Sequence, residues 1–373
     1  MLCFCLLQFY NQQDGTNVDT FKRVLDPVDS AIQTHGEANS NRGENVTFII
    51  IMCSGKPKKN MKVNQEQMKQ FTVLLKSAAM LTRTILRFHI IADTDKIQDS
   101  ISSITTKWPE EYSNRLVFEY HKLAYPPGYE KIRNMYLPCA TQRLFLPDMF
   151  SEMDAAIYVD TDAIFLRRPE ELWEEFNKFD DMQLAAIGPT SFYRLAHLKV
   201  PYYRPGGLNP GIMMMNLTRM RHYPLGSIPV KEGWSTAMLG IVNAYQGRLQ
   251  YADMDILNIF FNQNPRLLYP LGCWWNFLMT HCKKQSPCLP HMASENRGVA
   301  LLHGAGDVFI RNIEKKLKVV FKVFEKYNIG SPVNGILTPL KLNLSASVKS
   351  SSSYCDQVEN IDDLLTMELK KHK

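Results

Sequence analysis

The run Ile157-Tyr158-Val159-Asp160-Thr161-Asp162 ends an apolar stretch in two carboxylates at i and i+2, which point to one side while the chain stays extended. Two such carboxylates make half of a site for a hard dication such as Mg²⁺ or Mn²⁺, and the phosphate oxygens of a substrate commonly complete it. A nucleotide diphosphate suits that role. The spacing alone is weak, because Asp is common after strands and Asp93-Thr94-Asp95 repeats it. It gains weight from Leu301-Leu302-His303-Gly304, where a second apolar strand delivers an imidazole, followed by a glycine that lets a ligand approach the backbone. Asp160, Asp162 and His303 are therefore the candidate metal ligands, with Thr161 and Gly304 beside them where a nucleotide diphosphate would lie.

Other residues could serve the same chemistry, each against a plainer reading. Leu208-Asn209-Pro210-Gly211 is a turn that places an amide at a strand's mouth, where it can bond a sugar hydroxyl or simply close an Asx turn. Asp253 and Asp255 open a helical stretch, and capping with the helix dipole accounts for acids there without any function. Arg143 lies in the helix-like CATQRLFLP segment just before the carboxylate strand, where it can neutralise phosphate, hold a sugar or be solvated. Trp274, Trp275 and Asn276 form a polar-aromatic cluster that could stack on a sugar or pack internally, and the methionines 213–215 suit a core.

The elements that must position these groups alternate. Val46 to Cys53 is a continuous β-branched run, followed by a Ser54-Gly55-Lys56 turn and helical periodicity through Thr82. Phe88 to Ala92, Leu116 to Leu123 and Ala155 to Val159 read as further strands, with helix-like stretches at 95–107 and 139–150 between them. Such alternation predicts an α/β fold with a mostly parallel sheet flanked by helices, and ligands bind such sheets beyond the carboxyl ends of the strands. The loops after Cys53 and Val159 are the places to look. No G-x-G-x-x-G follows the first strand and no Walker A sequence occurs, which disfavours dinucleotide enzymes and P-loop kinases. The less regular half after Asp162 reads as an acceptor-binding elaboration.

With 373 residues and 45% hydrophobic content the chain can fill a large core, and the net charge of +6 comes from scattered basic residues, which argues against nucleic acid as a partner. Residues 1–44 are expected to be a stem or the remnant of an anchor, 45–345 one catalytic domain and 346–373 a peripheral tail. Met1 to Tyr10 is apolar but shorter than the ~20 residues a membrane span needs. Cys282 and Cys288 bracket a short loop that a disulfide could close. Asn216 and Asn343 are candidate N-glycosylation sites, and Asn45 a weaker one because it abuts a strand.

Cys53, CATQRLFLP, YVDTD, LNPGIMMMN, DMDILN and LLHG, in this order, resemble glycosyltransferase family 8, and within it the glucoside xylosyltransferases, from Val46 to Leu344. The resemblance implies a GT-A fold, UDP-xylose as donor, Mn²⁺ (or Mg²⁺) as metal and retention of anomeric configuration. The implied acceptor is O-linked glucose on EGF-like repeats of Notch-type glycoproteins, and the implied location is the Golgi or ER lumen as a type II membrane protein. Position by position, Asp160 would touch ribose and metal, Asp162 and His303 would complete the protein ligands, and Arg143, Asn209 and Asp253 would hold donor sugar and acceptor. Cys53, Ser54 and Gly55 would receive the uracil, and Trp275 and Asn276 would face the acceptor. Two departures stand out: Phe309 occupies the position of a family lysine, so that either Arg311 replaces the cation or the diphosphate is held less well, and Met254 replaces a glutamine. A UDP-hexose transferase or a UDP-binding pseudoenzyme are the competing readings.

Overall fold

A computed structural model of the chain describes residues 45–53, 65–136, 138–193, 200–223, 233–347 and 353–372. The expected stem, the apolar start and the uracil-side residues Ser54 and Gly55 lie outside the described residues.

β1 (Asn45–Met52) is buried throughout from Phe48 to Met52, as a strand covered on both faces must be. Phe48, Ile50 and Met52 enter one core while Ile49 and Ile51 enter the other, and each such side chain contributes roughly 1.5–3 kcal/mol by leaving water. β1 runs parallel to β2 (Ile85–Ala92) on one side and to β4 (Ala155–Val159) on the other. β3 (Leu116–Lys122) pairs in parallel with β2 and forms the edge, so only its Leu116 is buried. Beyond β4 the direction changes: β7 (Leu208–Asn216) is antiparallel to β4 and to β6 (Ala185–Pro189), and β8 (Leu268–Pro270) lies parallel to β6. The seven strands take the order β3-β2-β1-β4-β7-β6-β8, the expected mostly parallel sheet. Because the chain leaves β1 toward β2 and returns to it with β4, the carboxyl ends of β1 and β4 flank the crevice where such sheets bind ligands. A separate pair, β5 (Ala163–Phe165) and β9 (Leu301–His303), sets Ala163 opposite His303.

The Gln65–Leu81 helix covers one face through Phe71, Leu74, Leu75 and Ala78, together with the Lys315–Lys326 and Asn334–Ala346 helices. Lys76 reaches from the first of these to the carbonyls of Glu325 and Tyr327, both at 2.9 Å, and so satisfies acceptors at the end of the second. The Trp234–Ala244 and Ala252–Gln263 helices contribute to the core on the other face. The helix-like stretch expected at 139–150 is broken into Pro138–Thr141, a 3₁₀ turn Gln142–Phe145, and Leu146–Met149. Pro147 cannot supply an amide hydrogen, and the Gln142 side chain bonds both backbone groups of Ala124, holding the tight turn inward.

Two expectations fail at the C-terminal end. The peripheral tail is instead part of the packed domain: the Ile361–Lys370 helix buries Ile361, Leu364, Leu365 and Leu369. Glu314, itself buried, accepts from Tyr354 N at 2.8 Å, Cys355 N at 3.1 Å and the Ser353 hydroxyl, pinning the segment before that helix. The expected Cys282–Cys288 bridge does not form, because the two cysteines pair elsewhere: Cys273 with Cys288, and Cys282 with Cys355 on the C-terminal segment. Among the described residues no helix is long and apolar enough to cross a membrane.

Candidate metal and donor site

Antiparallel pairing with β7 continues one step past the end of β4, so that Asp160 N donates to Gly211 O at 2.7 Å. On the other side, Gly304 N donates to Asp162 O at 2.7 Å, which brings the β9 end against the same loop. These two backbone bonds place His303 Nε2 3.3 Å from Asp162 Oδ1 and 3.6 Å from Asp160 Oδ2. One ligand atom from each of the three residues lies within 4.8 Å of the others. Two carboxylates and an imidazole at this separation suit a divalent cation with open positions for phosphate oxygens. The Asp93-Thr94-Asp95 repeat of the motif belongs to no such group among the described residues: Asp95 precedes the Lys96–Thr105 helix.

His303 is held by its other nitrogen. Nδ1 lies 2.8 Å from Asn276 Oδ1, and Asn276 Nδ2 in turn donates to Asn209 O at 2.8 Å and to Asn209 Oδ1 at 3.1 Å. A ring so bonded presents Nε2 to the carboxylates, an orienting role that outer-shell partners of metal ligands commonly have. Burial disfavours the Asp162 carboxylate, but His303 opposite it prevails and holds the group below its ordinary range. Burial likewise opposes charge on His303, and Asp162 prevails to raise it. Gly211 sits hard against this group. A Cβ built there would lie 2.0 Å from His303 Cε1 and 2.8 Å from Asp160 Oδ2, so glycine is required for the close approach of β7.

Arg143 is not solvated. Its guanidinium lies 4.1 Å over the Tyr158 ring, 3.5 Å from Asp160 Oδ1, and in contact with the Pro210 carbonyl. Nε is 2.5 Å from Asp253 Oδ2, an ion pair in contact but not an aligned hydrogen bond. Burial pushes the Asp253 carboxyl up to about 6, with Arg143 pulling it back, so that it is ionised at neutral pH. The two acids at the start of the Ala252–Gln263 helix thus divide. Asp255 does the capping, accepting from Gln250 N at 2.6 Å, Tyr251 N at 2.8 Å and the Tyr193 hydroxyl at 2.6 Å. Asp253 turns to the site from a backbone bent through Ala252, whose φ is +50°. Tyr158, unremarked in the sequence, donates to Asp160 Oδ1 at 2.5 Å, and burial keeps its phenol protonated. Its position two residues before Asp160 on an extended chain was the available signal.

Several expected roles are corrected by burial. Trp275 is 1% exposed and its indole lies 3.3 Å from Glu175 Oε1, so neither ring face is open to an acceptor sugar. Asn276 is fully buried and serves His303 and Asn209 instead. The Cβ direction of Gly304 faces the Phe309 ring at 2.4 Å, so this glycine admits Phe309 and no ligand on that side. Phe309 stacks on Phe321 at 5.0 Å inside the core, and Arg311 pairs with Asp307 at 3.3 Å. Cys53 is bonded to Cys139, tying the end of β1 to the segment that carries Arg143. Of the glycosylation candidates, Asn343 and Asn45 are exposed, whereas Asn216 uses its Oδ1 to cap the Leu217–Arg221 helix.

Residues 60–303 match the sequence model of glycosyl transferase family 8. The chain is 33% identical over 296 residues to glucoside xylosyltransferase 1 of Danio rerio, covering 77% of this chain and 71% of that protein. It is 31% identical over 307 residues to glucoside xylosyltransferase 1 of Gallus gallus, covering 79% and 68%. The crystal structure of mouse xyloside xylosyltransferase 1 superposes with a TM-score of 0.51 at 20% identity, covering 70% of this chain and 98% of that one, which bears on the fold alone.

Proposed function

The chain belongs to glycosyl transferase family 8, and we propose that it is a retaining xylosyltransferase that moves xylose from UDP-xylose to O-linked glucose on EGF-like repeats with Mn²⁺. The observation that carries the proposal is the convergence of Asp160, Asp162 and His303 at the carboxyl ends of strands, beside a buried arginine. The names of the relatives supply the sugar: glucoside xylosyltransferases are similar over more than two thirds of their own length.

Asp160, Asp162 and His303 would hold the cation, and when bound it would stabilise charge building on the leaving diphosphate. The rest of the work falls to the chain. Asp253, ionised at neutral pH and fixed by Arg143, presents a carboxylate able to accept from sugar hydroxyls. Asn209 is oriented by its bonds to Gly211 N and Asn276 and contributes a further polar group at the start of β7. Tyr158 and Arg143 both engage Asp160 Oδ1, leaving Oδ2 on the His303 side. Three disulfides among the described residues support a lumenal setting, since such bonds persist in oxidising compartments.

The test is UDP release from UDP-xylose with Mn²⁺, with and without a glucosylated EGF repeat, using Asp162→Ala as control. Acceptor-dependent release lost in the variant supports the proposal. Release only from a UDP-hexose replaces the donor. The burial of Phe309 where the family has a lysine favours a second reading, a pseudoenzyme. UDP binding without turnover on any donor establishes it.

A further inference from the structure

β2 and β3 carry a second convergence of ligating groups, with β1 standing between them and β4. His89 and Glu119 are register partners on parallel strands, and His121 lies two residues along on the same face. His89 Nδ1 is 3.0 Å from His121 Nε2 and 3.5 Å from Glu119 Oε2. We propose that His89, Glu119 and His121 form a zinc site, distinct from the Asp160–Asp162–His303 group.

The separations are those a small tetrahedral cation imposes. Zinc bonds nitrogen at about 2.0–2.1 Å, which sets neighbouring donors roughly 3.3 Å apart. A plain hydrogen bond between the two imidazoles accounts for the 3.0 Å contact but not for the third group. His89 Nδ1 has one lone pair or one proton, and it faces both a ring nitrogen and a carboxylate oxygen. If it accepts from His121, Glu119 Oε2 confronts it lone pair to lone pair; if it donates, one proton is shared between two acceptors and the carboxylate stands at 3.5 Å, whereas a cation between the three would bond each of them.

The surroundings prepare the donors. Arg87 Nη1 binds the other carboxylate oxygen, Glu119 Oε1, at 2.6 Å, and so turns Oε2 toward His89. That is the outer-shell support a ligating carboxylate needs. Phe150 packs edge-on against both rings, at 5.3 Å from His89 and 4.9 Å from His121, and walls the group from one side. His89 is buried, whereas Glu119 is 41% exposed, leaving a route of entry from solvent. Two nitrogens and one oxygen favour Zn²⁺ over Mn²⁺, the opposite preference to a site rich in carboxylates. A metal here would clamp the edge strand to β2.

The test uses the full chain carrying Asp162→Ala, so that the other group is disabled, stripped of metal by chelator and titrated with Zn²⁺ by calorimetry. Co²⁺ absorption serves as a second probe of coordination. One equivalent of Zn²⁺ is expected to bind, with intense visible Co²⁺ bands of low coordination number. His121→Ala should weaken binding at least 100-fold, and Glu119→Gln, which preserves shape, by 10- to 100-fold. Absence of Zn²⁺ binding overturns the proposal, as does binding that both variants leave within threefold. Should His121→Ala fail to fold by circular dichroism, Glu119→Gln decides alone.

Discussion

Gly211→Ala should disable metal binding without touching a ligand. The added Cβ would lie 2.0 Å from His303 Cε1, where ordinary contacts begin near 3.4 Å, so about 1.4 Å must be found. The ring has nowhere to go: His303 is 2% exposed and its Nδ1 is held at 2.8 Å by Asn276, itself fully buried. The backbone has little more freedom, since Gly211 O accepts from Asp160 N at 2.7 Å and Gly211 N donates to Asn209 at 3.0 Å. Metal–ligand distances tolerate only about ±0.2 Å, so a displacement several times larger removes His303 from the set. The expected loss is at least 100-fold in Mn²⁺ affinity, about 3 kcal/mol, with a further 1–3 kcal/mol of stability lost to overpacking. Electron paramagnetic resonance of free Mn²⁺ gives the affinity, and thermal melting gives the stability. Gly240→Ala is the control, since nothing lies within 4 Å of its Cβ and it sits in a helix; it should leave Mn²⁺ binding alone and stabilise by about 0.5–1 kcal/mol. Gly211→Ala binding Mn²⁺ within threefold of the parent would refute the reasoning.

Asn276→Ala should weaken Mn²⁺ binding 10- to 100-fold by releasing His303 Nδ1, and an unchanged titration would show that the ring needs no such support. Arg143→Met should destabilise the fold by about 3–5 kcal/mol, measured in urea, because Asp253 is left buried with its charge uncompensated. Asp253 itself sets a pH dependence. Its carboxyl is raised from 3.8 to about 6, so the folded chain binds more protons than the unfolded one in that window. Its contribution to stability is therefore complete below pH 3.8 and lost as pH rises through about 6. The melting temperature of the parent relative to Asp253→Asn should fall between about pH 4 and 6 and level off above; a flat or rising difference in that window contradicts the assigned direction. Replacing both Cys282 and Cys355 by serine opens a tie across 73 residues, and chain entropy puts the loss at about 4 kcal/mol. Partial proteolysis should then release the C-terminal helix first.

Strand runs and their ends were legible because they are local. Val46 to Cys53 and Ala155 to Val159 announce buried strands through unbroken apolar character, and Asp160, Asp162 and His303 stand out as the polar groups those and similar runs deliver. The sheet's parallel character followed from the alternation of strand and helix. What the neighbours of a residue do over long separations was not legible. Asp253 and Asp255 look alike at the start of one helix, and only the approach of Arg143, 110 positions earlier, makes one a site residue and the other a cap. Trp275 invites reading as a sugar platform until the surrounding core closes over it, and Asn276 beside it becomes the orienter of a histidine 27 residues away. Cysteine spacing favoured the short Cys282–Cys288 loop, yet partner choice depends on which chain segments meet, and the segment before the C-terminal helix arrives to take Cys282. Composition, periodicity and motif order thus determined the fold class and the candidate metal ligands, since each is written in a few consecutive positions. Burial, pairing of charges and disulfide connectivity were decided only in the folded chain, since each depends on what distant segments place beside a side chain.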